Sequence, residues 1–127
     1  MVKRTDILVI DDDRGIRETL GDVLSDEGYQ VRLAQNGAEA LEFLRQGQSP
    51  SLILLDLSMP VMDGPAFRAA QLEDRALAQI PVVVLTAAGM VEDAPLMPGA
   101  AGFLRKPFGL DQLLETVQTW CPQKQAS

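Results

Sequence analysis

Ile7-Leu8-Val9-Ile10-Asp11-Asp12-Asp13 decides how the rest of the chain is read, because four apolar residues without alternation run straight into three carboxylates. A half-exposed strand alternates apolar and polar residues; an unbroken apolar run of this length is the pattern of a strand covered on both faces. The form returns at Leu52-Ile53-Leu54-Leu55-Asp56 and at Val82-Val83-Val84-Leu85-Thr86, while Val31-Arg32-Leu33-Ala34 and a weaker Gly102-Phe103-Leu104 complete five candidate strands. Between them, apolar residues fall at helical spacing: Ile16, Leu20, Val23 and Leu24; Ala40, Leu41 and Leu44; Leu110, Leu113, Leu114 and Val117. Each set makes one apolar stripe. Trp120 and Cys121 continue the last stripe and read as packing residues. A further helix is predicted from Pro65 to about Asp74, with proline at its first position and Ala66, Phe67 and Ala70 facing inward. Strands alternating with helices imply crossover connections, and therefore an α/β fold: a (βα)5 doubly wound, parallel five-stranded sheet with helices on both faces. One crossover departs from the pattern. Gly89, Pro95, Pro98 and Gly99 crowd the stretch after the fourth strand, so residues 89–99 are expected to hold a shortened or irregular fourth helix.

The 127 residues fit one domain over 1–127, with its core over about 5–120 and a polar tail at 122–127. That leaves no room for a second effector domain, so an effect is expected to pass through another molecule. Hydrophobic residues at 46% and charged residues at 23% match a packed globular chain rather than a disordered one. The net charge is −7, and the acid is concentrated early, with six basic against twelve acidic residues in 1–63 and five against six in 64–127. That balance disfavours direct nucleic-acid binding, which needs a basic face, and offers nothing to an anionic membrane. There is no histidine, which removes Ser-His and Cys-His nucleophilic pairs, histidine acid–base chemistry and histidine-containing zinc sites. The single cysteine, Cys121, allows no intrachain disulfide. The apolar stretch near the N-terminus is about four residues long, too short for a signal-peptide core, and no run reaches a membrane-spanning length. The chain reads as soluble and cytoplasmic.

In an open parallel sheet, ligands bind outside the carboxyl ends of the strands. The residues at those ends are Asp11, Asp12, Asp56, Thr86 and Lys106. Three carboxylates, a hydroxyl and an ammonium therefore converge on one rim. Carboxylates packed without a cation repel, so a divalent metal is the natural neutraliser, and an oxygen-only donor set suits magnesium better than zinc or copper. Lys106 is suited to set a point charge against a phosphoryl group. Asp13 is read differently, as the cap of the first helix.

Asp11-Asp12 after an apolar strand, Asp56 followed by Met59-Pro60 and Asp63-Gly64, Thr86-Ala87, and Lys106-Pro107-Phe108 together resemble the receiver domain of bacterial two-component response regulators over roughly residues 5–120. The resemblance implies strand order 2-1-3-4-5. It implies that Asp56 is the phosphoacceptor, taking a phosphoryl group from a sensor histidine kinase or histidine phosphotransfer protein in a magnesium-dependent reaction. By the same resemblance Asp12 and Asp56 ligate Mg2+ with the Ser58 carbonyl, Asp11 acts through a water, Thr86 and Lys106 bind phosphoryl oxygens, and Phe103 is the switch aromatic that turns inward with Thr86. The expected outcome is altered binding of a downstream protein target. The chain would be a phosphorylatable switch and not a dedicated enzyme.

Other classes fit less well. A phosphorylation-independent binding module on the same fold would keep its partner when Asp56 is changed to Asn. A phosphatase of the haloacid-dehalogenase type needs a second aspartate two residues after its nucleophile, where Ser58 stands. A flavodoxin relative needs a phosphate-binding loop after the first strand, where this chain has carboxylates.

Overall fold

Five strands form one parallel sheet: β1 (Ile7–Ile10), β2 (Val31–Ala34), β3 (Leu52–Asp56), β4 (Val82–Thr86) and β5 (Gly102–Arg105), in the order β2-β1-β3-β4-β5. The structure, a computed structural model, describes residues 6–47, 50–56, 64–86, 101–105 and 109–120. Among them the helices are α1 (Arg14–Asp26), α2 (Gly37–Arg45), α3 (Gly64–Glu73), the four-residue α4 (Arg75–Ala78) and α5 (Leu110–Trp120). The strand order and the doubly wound α/β class agree with expectation. The irregular helix expected over 89–99 lies outside the described residues.

The unbroken apolar runs are explained by what covers the sheet. Leu8, Ile10, Ile53, Leu55, Val82 and Val84 share one core with residues of α2, α3 and α4, among them Ala40, Leu41, Leu44, Phe67 and Leu77. The alternate residues Ile7, Val9, Leu52, Leu54, Val83 and Leu85 share a second core with Leu20 and Leu24 of α1 and Leu113 and Val117 of α5. Period-two alternation sends successive side chains to opposite faces, and here both faces are roofed. Each of these aliphatic side chains contributes on the order of 1.5–3 kcal/mol through burial.

Helix ends follow local chemistry. Asp13 caps α1 by accepting from the Ile16 amide, and Asn36 caps α2 by accepting from the Glu39 amide. Gly28, at φ 98°, ends α1 in a left-handed turn, with its own amide on Ser25 O and the Tyr29 amide on Leu24 O. That paired closure is the Schellman arrangement. Gly109 precedes α5 and donates to Gln112 Oε1, the side-chain half of a capping box. Gly21 lets α1 lie close on β2, since a Cβ there would meet Leu33 Cδ2 at 3.3 Å.

Three packing expectations are corrected. Ala66 is exposed, because the buried face of α3 runs through Phe67 and Gln71, four residues apart, and Ala66 falls off it. Leu110 and Trp120 are 53% and 40% exposed. They are the first and last residues of α5, one turn before Leu113 and one turn after Val117, the buried pair of that helix. Cys121 lies outside the described residues. Nor does periodicity reveal α4, one short turn inserted between α3 and β4.

Candidate functional site

The register of the sheet brings the first and third strands' carboxylates together. Ile10 pairs with Leu55, so one step further along the parallel ladder Asp11 stands beside Asp56. On its other side β1 is still joined to β2 at this point, the Asp11 amide donating to Ala34 O at 3.1 Å. Alternation does the rest. Ile7 and Val9 on β1, and Leu52 and Leu54 on β3, point into the core beneath α1 and α5, so positions 11 and 56 follow toward the same side at the carboxyl rim. Asp12 begins the turn into α1. One carboxylate oxygen from each of Asp11, Asp12 and Asp56 lies within 4.8 Å of the other two. Asp11 and Asp56 are buried while Asp12 is open to solvent.

The loop carrying two of these carboxylates is tightly closed. The Asp13 amide donates to Asp11 Oδ1 at 2.9 Å, Asp13 Oδ1 accepts from the Ile16 amide at 3.0 Å, and the Arg17 amide donates to Asp13 O at 2.9 Å. Arg17 Nη1 then reaches back to donate to Asp11 O at 2.9 Å. Asp13 thus has the capping role expected of it, and also steers Asp11. Arg17 was not singled out by the sequence. The available signal was its place four residues after the cap, from which a long side chain tilted toward the helix N-terminus can return to the strand end. Arg14 and Glu18, one turn apart on the outer face of α1, pair at 2.9 Å in full solvent. The hydrogen bond from Arg14 holds the Glu18 carboxyl below its usual range and raises the guanidinium in turn.

Two unit charges 4 Å apart interact by about 1 kcal/mol in water and about 4 kcal/mol at the effective dielectric of a protein surface. Three carboxylates within 4.8 Å therefore make a strongly cation-seeking pocket. Its donors are oxygens alone, with no imidazole or thiolate among them, which fits a hard divalent ion such as Mg2+.

The other expected site residues are placed as follows. Thr86 is the last residue of β4, one step beyond Leu85, which pairs with Asp56, and it registers with Arg105 of β5. Phe103 lies on β5 opposite Val84 and is 44% exposed, so it is not a core aromatic. Ser58 and Lys106 lie outside the described residues; Lys106 directly follows Arg105, the end of β5. No described helix is long and apolar enough to cross a membrane.

A family model described as the response regulator receiver domain matches residues 7–118. Response regulator MprA of Mycobacterium sp. (strain KMS) is 44% identical over 114 residues, which is 88% of this chain and 48% of that protein. The chain spans about half the length of the curated relatives it matches. Among solved structures, Vibrio cholerae chemotaxis protein CheY4 superposes with a TM-score of 0.84 at 33% identity, covering 93% of this chain and 99% of that one. The receiver domain of the sensor histidine kinase PA1611 from Pseudomonas aeruginosa, with a magnesium ion coordinated in its active site cleft, superposes with a TM-score of 0.83 at 27% identity, covering 93% of this chain and 98% of that one. Sequence model, curated relatives and folds agree with the acidic rim built by β1 and β3: the chain belongs to the response regulator receiver domain family of two-component systems.

Proposed function

We propose that this chain is a phosphoacceptor switch in which Asp56 takes a phosphoryl group from a phosphohistidine on a separate kinase or phosphotransfer protein. The observation that carries the reading is the meeting of Asp11, Asp12 and Asp56 oxygens within 4.8 Å at the carboxyl rim of the sheet. These 127 residues contain no histidine, so the donor imidazole lies outside them. In the transfer, an Asp56 carboxylate oxygen bonds to phosphorus as the phosphorus–nitrogen bond breaks, leaving an acyl phosphate and a histidine that regains its proton from solvent.

Asp12 and Asp56, with the Ser58 carbonyl, would hold Mg2+, and Asp11 would contribute through a water. When bound, the metal offsets charge on the phosphoryl oxygens in a loose transition state. The chain's own part is positioning. The buried Asp56 is presented at the end of β3, Asp11 and Asp12 would hold a cation beside it, and Thr86 and Lys106 would donate to the phosphoryl oxygens. Phe103, exposed on β5, would turn inward as Thr86 moves, converting a local charge change into a changed surface for a downstream protein. On this reading the protein works in the cytoplasm, contacts no nucleic acid through this domain, and turns over no substrate beyond its own phosphoryl group.

Intact-mass measurement after incubation with a small phosphodonor tests it. Wild type gains one phosphoryl group with Mg2+ and none with excess chelator, and Asp56→Asn gains none under either condition. Equal labelling of Asp56→Asn would place the acceptor elsewhere.

A further inference from the structure

We propose that Arg17 is a positioning residue for this site, fixing the peptide between Asp11 and Asp12 so that both carboxylates meet Asp56; the inference rests on reading the acidic cluster as a magnesium site. The Asp11 carbonyl belongs to the planar peptide unit that joins the two aspartates. Gripping that oxygen at 2.9 Å fixes the direction in which the chain leaves Asp11 and enters Asp12. Arg17 is itself anchored, since its amide closes on Asp13 O at 2.9 Å and its side chain is half-buried. The choice of acceptor matters. The guanidinium grips a neutral main-chain oxygen, the one in the peptide that leads from Asp11 into Asp12.

Arg17 also brings a positive charge, which opposes an incoming cation, so positioning and charge predict opposite signs. Arg17→Met keeps the apolar stem and removes both donor and charge; Arg17→Lys keeps the charge and loses the planar fork. In MgCl2 titrations followed by the amide signals of residues 11, 12 and 56, Arg17→Met is expected to bind Mg2+ roughly three- to tenfold more weakly than wild type, the range spanned by one net hydrogen bond. Arg17→Lys is expected to weaken binding in the same direction by less. Phosphoryl labelling of Arg17→Met falls at limiting Mg2+ and returns to the wild-type rate at saturation, a split that general loss of folded protein does not produce. Tighter or unchanged Mg2+ binding by Arg17→Met overturns the inference. Should that variant not fold, Arg17→Lys decides, with unchanged affinity as the contradicting result. Failure of wild type to bind Mg2+ removes the parent reading itself, and a wild type that binds as well as both variants removes only the role of Arg17.

Discussion

Among the described residues, the buried polar side chains under α3 and those at the carboxyl rim follow opposite rules. Under α3, Gln71 is fully buried with both ends of its carboxamide engaged: Nε2 donates to Leu77 O at 2.7 Å and Ile80 O at 3.2 Å, and Oε1 accepts from Arg68 Nη1 at 2.7 Å. It ties α3 to the end of α4 and the entry to β4. Burial lowers the pKa of the Arg68 guanidinium, yet that side chain lies beside an acceptor. At the carboxyl rim three carboxylates of the same sign, Asp11, Asp12 and Asp56, are brought together, and the Asp13 amide orients Asp11 within the loop. A carboxamide paired at both its nitrogen and its oxygen stabilises a fold. Carboxylates of like charge gathered by the same fold favour a cation, and that gathering marks the site.

The largest effect in this contrast belongs to the Gln71 network. Gln71→Leu takes a donor from Ile80 O and from Leu77 O, which keeps the Ile80 amide, and an acceptor from Arg68, and is expected to lower unfolding stability by about 2–4 kcal/mol in denaturant titration. It should leave the Mg2+ affinity of the folded protein unchanged. An equal loss of Mg2+ binding would mean that the two regions are coupled and the contrast is misdrawn. Next comes the open cluster. Asp12→Asn removes one like charge from an exposed position and is expected to raise stability in the absence of divalent metal by up to about 1 kcal/mol, a shift of a few degrees in Tm. The smallest effect belongs to a pair that is neither buried nor unbalanced. Glu18 has its carboxyl lowered by Arg14, so any contribution is present above the ordinary glutamate range and lost as pH falls through the lowered value. Both partners are in water, and thermal melts at pH 7 and at pH 3 are expected to show no difference between wild type and Glu18→Gln beyond that of the charge change itself.

Much of this was legible in the sequence because it depends on short-range patterns. Ile7–Ile10, Leu52–Leu55 and Val82–Leu85 announce doubly covered strands by lacking alternation, and carboxylates placed directly after two of them must arrive at one rim once the strands are parallel. The N-cap at Asp13 was legible for the same reason, since its partner is three residues away. What escaped depends on where long side chains end up. Arg17 spans six residues to Asp11 O, and Gln71 spans six and nine to Leu77 O and Ile80 O. No periodicity encodes those targets, because they are fixed by how α1 meets the end of β1 and how α4 folds back under α3. The exposure of Leu110 and Trp120 escaped similarly: they continue the stripe of Leu113 and Val117, but periodicity does not say how many turns of that stripe are covered.

The most direct measurement of the central claim is the Tm of wild type and Asp12→Asn across a MgCl2 series. The account predicts that the curves cross, with wild type the less stable protein in chelator and the more stable one at saturating Mg2+, because binding to the native state alone adds stability with ligand concentration. Curves that never cross, with wild type above Asp12→Asn even in chelator or with neither protein responding to Mg2+, would contradict the reading of Asp11, Asp12 and Asp56 as a site built for a divalent cation.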